Sequence, residues 1–240
     1  MVTYVLNPHS DAFWNMAKSN IGYLANNYCV IPMITVGIVS DNRGSEFAPP
    51  ATTLQDHFKN EVFPLIEKNY RTEPFKAIIG HSWGGNFIGT TIFSENRDLF
   101  DAYIGISPSF GDTNSHVVRK ADSLLKLKTK FKKYLYLSHG NVGRREAEFG
   151  GYVAQIDSLL KKYPTPSIIW QPRLIDRTDH WQIVIPSFSD GLISMSRNYF
   201  ADQQVIEQLS EKGSNNLKLQ ISTKKRSKTL AMYINPLQVT

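Results

Sequence analysis

The sequence predicts an α/β fold: a mostly parallel central sheet with helices on both faces. Three features point to it. Short runs that are almost continuously apolar alternate with longer amphipathic stretches along most of the 240 residues. The runs have strand length and unbroken apolarity, as expected of strands buried on both faces. Composition is that of a globular chain, 41% hydrophobic and 20% charged, which excludes wholesale disorder and fibrous repeats.

The elements follow in order. VTYVL (2–6) is a strand, and 13–26 is a helix. MITVGIV (33–39) is the second strand, and its loop SDNRGSEFAPP is dense in turn formers. Residues 54–70 form a helix with Leu54, Phe58, Val62, Leu65 and Ile66 on one face and Pro64 as a kink. Further strands are expected at 75–80, 101–108, 133–138 and 167–172. Helices are expected at 86–96, 115–131, 152–162 and 184–200. Together these make one domain over roughly 1–200. Residues 201–240 read differently. EKGSNN (211–216) is a linker or turn, and LKLQIS (217–222) and LAMYINP (230–236) form a hairpin packed onto the same domain.

Several function classes drop out. Cys29 is the single cysteine, so there is no intrachain disulfide and no cysteine-based zinc site. No run reaches the roughly 18 apolar residues of a membrane span. The N-terminus lacks the pattern of a signal peptide. A chain starting natively at Met1 fits the cytoplasm, whereas a periplasmic or secreted protein with its signal removed would read the same. The net charge of +6 mildly favours anionic partners, but the basic residues are scattered. Their densest run, Lys224, Lys225, Arg226 and Lys228, reads as a solvated turn rather than a nucleic-acid patch.

One motif carries chemistry. Gly80-His81-Ser82-Trp83-Gly84 is G-x-S-x-G, lying directly between a strand and a helix. In that context it is a nucleophile elbow, a sharp turn that exposes the serine hydroxyl. The helix start favours developing negative charge, and the Trp83 N–H is one oxyanion donor. A serine needs a base, and the chain order for this arrangement is Ser, acid, His. His180 lies in the loop between the last strand and the last helix, where that base belongs. The acid is expected after KYLYLS. Glu148 is the preferred residue and Glu146 the alternative. Asp176 and Asp179, in the histidine's own loop, read as loop-stabilising or capping residues.

These residues resemble the esterase family of α/β hydrolases that includes enterochelin-esterase-like and esterase D-like enzymes. The stretches PMITVGIVSDNRGSEFAPP, EVFPLIEKNYRTEPFKAIIGHSWGGNF, DLFDAYIGISPSF and HWQIVIPSFSDGL carry the match. The resemblance implies the α/β-hydrolase fold and a serine esterase with Ser82, a glutamate within 146–148 and His180 as its triad. Such an enzyme needs no metal or cofactor, and its partner is a small-molecule ester. Similarity allows siderophore lactones, aryl esters, acetylated sugars and small thioesters.

Two departures stand out. The turn after VTYVL, which helps build the oxyanion hole in such proteins, here reads Leu6-Asn7-Pro8-His9, and Pro8 has no N–H to donate. His9 or Ser10 then supplies the second donor, or the hole is weaker. Family members also carry an antiparallel hairpin before the strand matching VTYVL. Here the tail LKLQISTKKRSKTLAMYINP has that pattern, which predicts a circular permutation; a truncated tandem copy or a swapped tail is the alternative. Trp83 and Trp181 flank the serine and histidine, as pocket walls or as plain packing, and Arg43 and Glu46 lie in the loop after the second strand. The competing function is a catalytically inactive pseudo-hydrolase that serves as a binding protein.

Overall fold

The computed structural model describes residues 1–6, 10–113, 116–127 and 132–211. Six strands form one sheet: β1 (Val2–Leu6), β2 (Ile34–Ile38), β3 (Lys76–His81), β4 (Ala102–Ile106), β5 (Lys133–His139) and β6 (Ile168–Leu174). Their order is β2-β1-β3-β4-β5-β6, and every pairing is parallel. The chain therefore winds outward to β2 on one side of β1 and to β3–β6 on the other. The crevice between β1 and β3, at the carboxyl ends of the strands, is the switch point where ligands collect in such sheets.

The alternation of side chains along each strand separates two cores. Tyr4, Leu6, Ile78, Leu135 and Leu137 face one way. They are covered by helical residues from 54 to 66 and by α5 (Trp83–Ile92), α6 (His116–Lys126) and α7 (Arg144–Lys162). Val5, Ile79, Ile104, Tyr134 and Tyr136 face the other way. There they meet Ala17, Ile21 and Leu24 of α1 (Asp11–Asn26) and Phe188 and Leu192 of α8 (Val184–Glu211). The parallel sheet with helices on both faces is thus as predicted.

Three local differences have clear causes. The helix expected over 54–70 is α3 (Thr52–His57), a π-helical turn (Phe58–Val62) and α4 (Phe63–Asn69). The Phe63 N–H reaches Phe58 O, five residues back. Pro64 has no N–H for the ordinary ladder, and the widened turn before it takes up the break that a kink would otherwise make. Phe63 is buried in place of Leu65, which is exposed. The second difference is a short helix, α2 (Arg43–Glu46), within the turn-rich loop, capped by the Asn42 side chain at Ser45 N. The third is α7, which starts at Arg144 rather than at 152. Gly150-Gly151 reads as a helix breaker. In the fold, Gly150 is where α7 passes the His139 ring, and a Cβ there would lie 2.6 Å from Nδ1.

The chain divides into two units, Met1–Met195 and Ser196–Thr240. Of the second, the described part is the continuation of α8 to Glu211. The predicted linker after that residue, the hairpin at 217–236 and the basic run at Lys224–Lys228 lie outside the described residues, and with them the permutation. No described helix is long and apolar enough to cross a membrane.

Candidate active site

The site is assembled from the carboxyl ends of four strands. Ser82 follows β3 directly with φ 58° and ψ −114°, a region that a residue with a Cβ occupies only under strain. Its backbone is pinned on both sides. The Ser82 N–H donates to Ile106 O at 3.0 Å, while its carbonyl accepts from Asn86 N at 3.0 Å and Ser109 N at 3.2 Å. Gly80 makes the turn feasible, because a Cβ there would strike the Gly84 backbone. Trp83 is the first residue of α5, so its N–H has no acceptor within the helix.

His180 lies in the loop between β6 and α8 and is buried. Its Nε2 is 3.1 Å from Ser82 Oγ. On the other side of the ring, Nδ1 is 3.0 Å from Glu146 Oε1 and 2.7 Å from Ser107 Oγ. Ser107 Oγ in turn donates to Glu146 Oε1. Ser107, His180 and Glu146 thus form a buried, hydrogen-bonded cluster. The second carboxylate oxygen, Oε2, accepts from Gly140 N at 2.6 Å.

Glu146 is fully buried in the first turn of α7. Burial alone would push its carboxyl up. The hydrogen bonds from His180, Ser107 and the Gly140 N–H outweigh that and hold it below the ordinary carboxylate value. The helix N-terminus adds to the same effect. Glu146 is therefore an anion with donors on both oxygens. Its proton-free carboxylate fixes the imidazole proton on Nδ1 and leaves Nε2 to accept from Ser82. The arrangement can move a proton from Ser82 onto His180 while the growing positive charge stays paired.

The two loops carrying these groups are cross-linked. Asn141 N and Val142 N both donate to Thr178 O at 3.1 Å. The Asn141 side chain bonds Asp176 Oδ1 and the Arg177 N–H, each at 2.8 Å. Asp179 Oδ1 accepts from Trp181 N and Gln182 N, which tightens the turn around His180. His81 completes the setting. Its Nε2 is 2.9 Å from His180 O and, facing a carbonyl, must donate. The His81 ring lies 4.5 Å from the His180 ring, and the Phe149 ring lies 5.6 Å from that of His180.

The other predicted site residues separate. Glu148, the preferred acid, is exposed and its carboxylate lies against Gly111, away from His180. The reason is helical geometry. Residues two apart on a helix point to nearly opposite sides, and Glu146, Phe149, Gly150 and Val153 form the inward face. The geometry thus favours the alternative, Glu146. Ser10 caps α1, its Oγ accepting from Phe13 N at 3.2 Å, and His9 lies outside the described residues. Trp181 is 64% exposed, with its ring 5.5 Å from both His81 and His180, so it covers the histidine pair with one side open to solvent. Trp83 packs against the core. Glu46 lines a cavity of about 490 Å³ beside the end of β2, together with Val39, Asp56 and His57. Among the described residues there is no group of three or more metal-ligating side chains.

Ser107 was not singled out in the sequence. It falls inside the strand expected over 101–108, whereas β4 ends at Ile106. A serine immediately after a strand at the carboxyl edge, next to the elbow strand, was the available signal.

No protein-family model matches the chain, and no curated protein does. Solved structures do. An IroE-like serine hydrolase from Shewanella oneidensis superposes with a TM-score of 0.74 at 20% identity, over 97% of this chain and 85% of that one. Siderophore hydrolase EstB from Aspergillus nidulans gives 0.69 at 16% identity, over 82% of each chain. The enterobactin esterase FES from Shigella flexneri gives 0.64 at 15% identity, over 82% of this chain and 51% of that one. At these identities the likeness establishes the fold alone, the α/β-hydrolase fold.

Proposed function

We propose that this chain is a serine esterase that works through an acyl-enzyme intermediate. The observation that carries the reading is the continuous path from Ser82 Oγ through both ring nitrogens of His180 to the buried Glu146 carboxylate. His180 Nε2 takes the proton of Ser82 as its oxygen attacks the ester carbonyl. Glu146 holds the ring in the required tautomer and stabilises the imidazolium. The Trp83 N–H receives the oxyanion, a contact whose loss typically costs about 10²–10³ in rate. His180 then returns its proton to the departing alcohol, and water repeats the cycle on the acyl-serine. The strained backbone at Ser82 supports this assignment, because such strain persists where function requires it.

Several of the solved structures sharing this fold are named for hydrolysing siderophores or enterobactin. Siderophore esters are therefore the first substrate class to assay, followed by simple aryl and acetyl esters. The test is labelling with a fluorophosphonate probe, read by mass spectrometry. An adduct on Ser82 that disappears in His180→Ala is the expected result. A folded protein that takes up no probe on Ser82 would overturn the reading in favour of a binding role on an inactive hydrolase scaffold.

A further inference from the structure

A three-residue mechanism has no task for Ser107, yet its hydroxyl lies where acid and base meet. Strands β3 and β4 pair with His81 opposite Ile106. The next residue on each is a serine, Ser82 and Ser107, and both have positive φ, 58° and 44°. Neighbouring strand ends thus deliver two hydroxyls by the same backbone device, one to each nitrogen of the His180 ring. Ser107 is fully buried, and its N–H is anchored on Ser138 O at 2.8 Å.

We propose that Ser107 is a positioning residue, a fourth member of the relay that holds His180 in its Nδ1–H tautomer and in line with Ser82. This rests on the reading of Ser82 and His180 as nucleophile and base. The proton count requires one arrangement. Glu146 is ionised and has nothing to donate. The single hydroxyl proton of Ser107 goes to Glu146 Oε1. Toward His180, Ser107 Oγ therefore accepts, and the imidazole proton is shared between Ser107 Oγ at 2.7 Å and Glu146 Oε1 at 3.0 Å. The three groups close a triangle in which both protons are used, and the ring gains two anchors where a simple triad has one. A left-handed backbone at a residue with a side chain is costly, and here the hydroxyl is what that conformation places.

Glycine is the informative substitution, because it removes the hydroxyl and also relieves the backbone. In Ser107→Gly the thermal midpoint should stay level or rise. With KM within about twofold, kcat should fall roughly tenfold, the effect of one hydrogen bond to a charged group. Ser107→Ala should show the same loss of kcat. In ¹⁵N-detected spectra, the His180 Nδ1–H signal should weaken in both variants and the Nε2–H tautomer should appear. Wild-type kcat with an unchanged Nδ1–H signal in Ser107→Gly would overturn the proposal. So would a fall in kcat matched by a fall in thermal midpoint, which marks a merely structural residue. If Ser82→Ala still hydrolyses the ester, the esterase reading is what fails, and the His180 tautomer in Ser107→Gly still decides the role of Ser107.

Discussion

Two clusters, one buried throughout and one buried except at Ser82, stand on the same sheet and are held together by opposite means. The first is aromatic. Tyr4, Phe58, Phe63 and Phe100 meet at centroid distances of 5.1–5.9 Å, several of them edge to face. Tyr4 and Phe100 come from ordinary extended or loop backbone, and no atom of the group but the Tyr4 hydroxyl needs a polar partner. The second is polar. Ser82, Ser107, Glu146 and His180 sit at strand and helix ends, two of them in left-handed backbone, and nearly every polar atom is assigned to another. One cluster contributes stability through area and contact, and its members are individually replaceable at a cost in packing. On the proposed function, the other contributes chemistry through direction. Substitutions should therefore separate the two, damaging turnover in one place and folding in the other.

The largest effect should come from the acid. Glu146→Gln is expected to lower kcat by about 10³–10⁴, as loss of the orienting carboxylate does in serine hydrolases. Glu148→Gln should leave kcat within about twofold. Steady-state kinetics on one ester would reverse the assignment of the two glutamates if the order came out the other way. Phe58→Ala tests the opposite pole. It should cost about 3–5 kcal/mol in denaturant unfolding and leave the turnover of the folded fraction unchanged. A loss of kcat without a loss of stability would show that the aromatic cluster reaches into the site.

His81 lies between the two regimes, as a ring that packs and a donor that directs. His81→Phe keeps the ring and loses the bond to His180 O, whereas His81→Gln keeps a donor and loses the ring. If direction governs, Phe should reduce kcat about tenfold and Gln much less. Equal losses would assign His81 to packing. The smallest effect concerns acid stability. The Glu146 carboxyl is held below its unfolded value, so its stabilisation is complete above the ordinary glutamate pKa of about 4.3 and is lost as pH falls through the lower folded value. Denaturation midpoints of wild type should thus drop more steeply below about pH 5 than those of Glu146→Gln. Phe58→Ala should run parallel to wild type.

The same contrast governs what the sequence made legible. All six strands could be read; those buried on both faces, such as β3 and β5, write themselves as unbroken apolar runs, KAII and KYLYL. The aromatic helix face was readable too, apart from the exchange of Leu65 for Phe63 at the π-helical turn. Ser82 and His180 emerged from a motif and a chain order, and the fold does bring them together. The acid was harder. The choice between Glu146 and Glu148 depends on the phase of a helix whose beginning is hidden by Gly150-Gly151, and Gly150 answers to the His139 ring rather than to a turn. Ser107 carries only the local signal of a serine at the end of a strand, since its importance lies in a ring 73 residues away.

That remoteness bears on how the protein folds. The contacts of His180 span 98 residues to Ser82, 73 to Ser107 and 34 to Glu146. None can form before β3, β4, β5 and β6 have come into register, and pairings so distant along the chain are slow to close. During refolding, helical signal should return first and reactivity at Ser82 last. A probe of that serine would thus serve as a clock for completion of the sheet, and an unfinished chain would carry the proposed nucleophile without being able to use it.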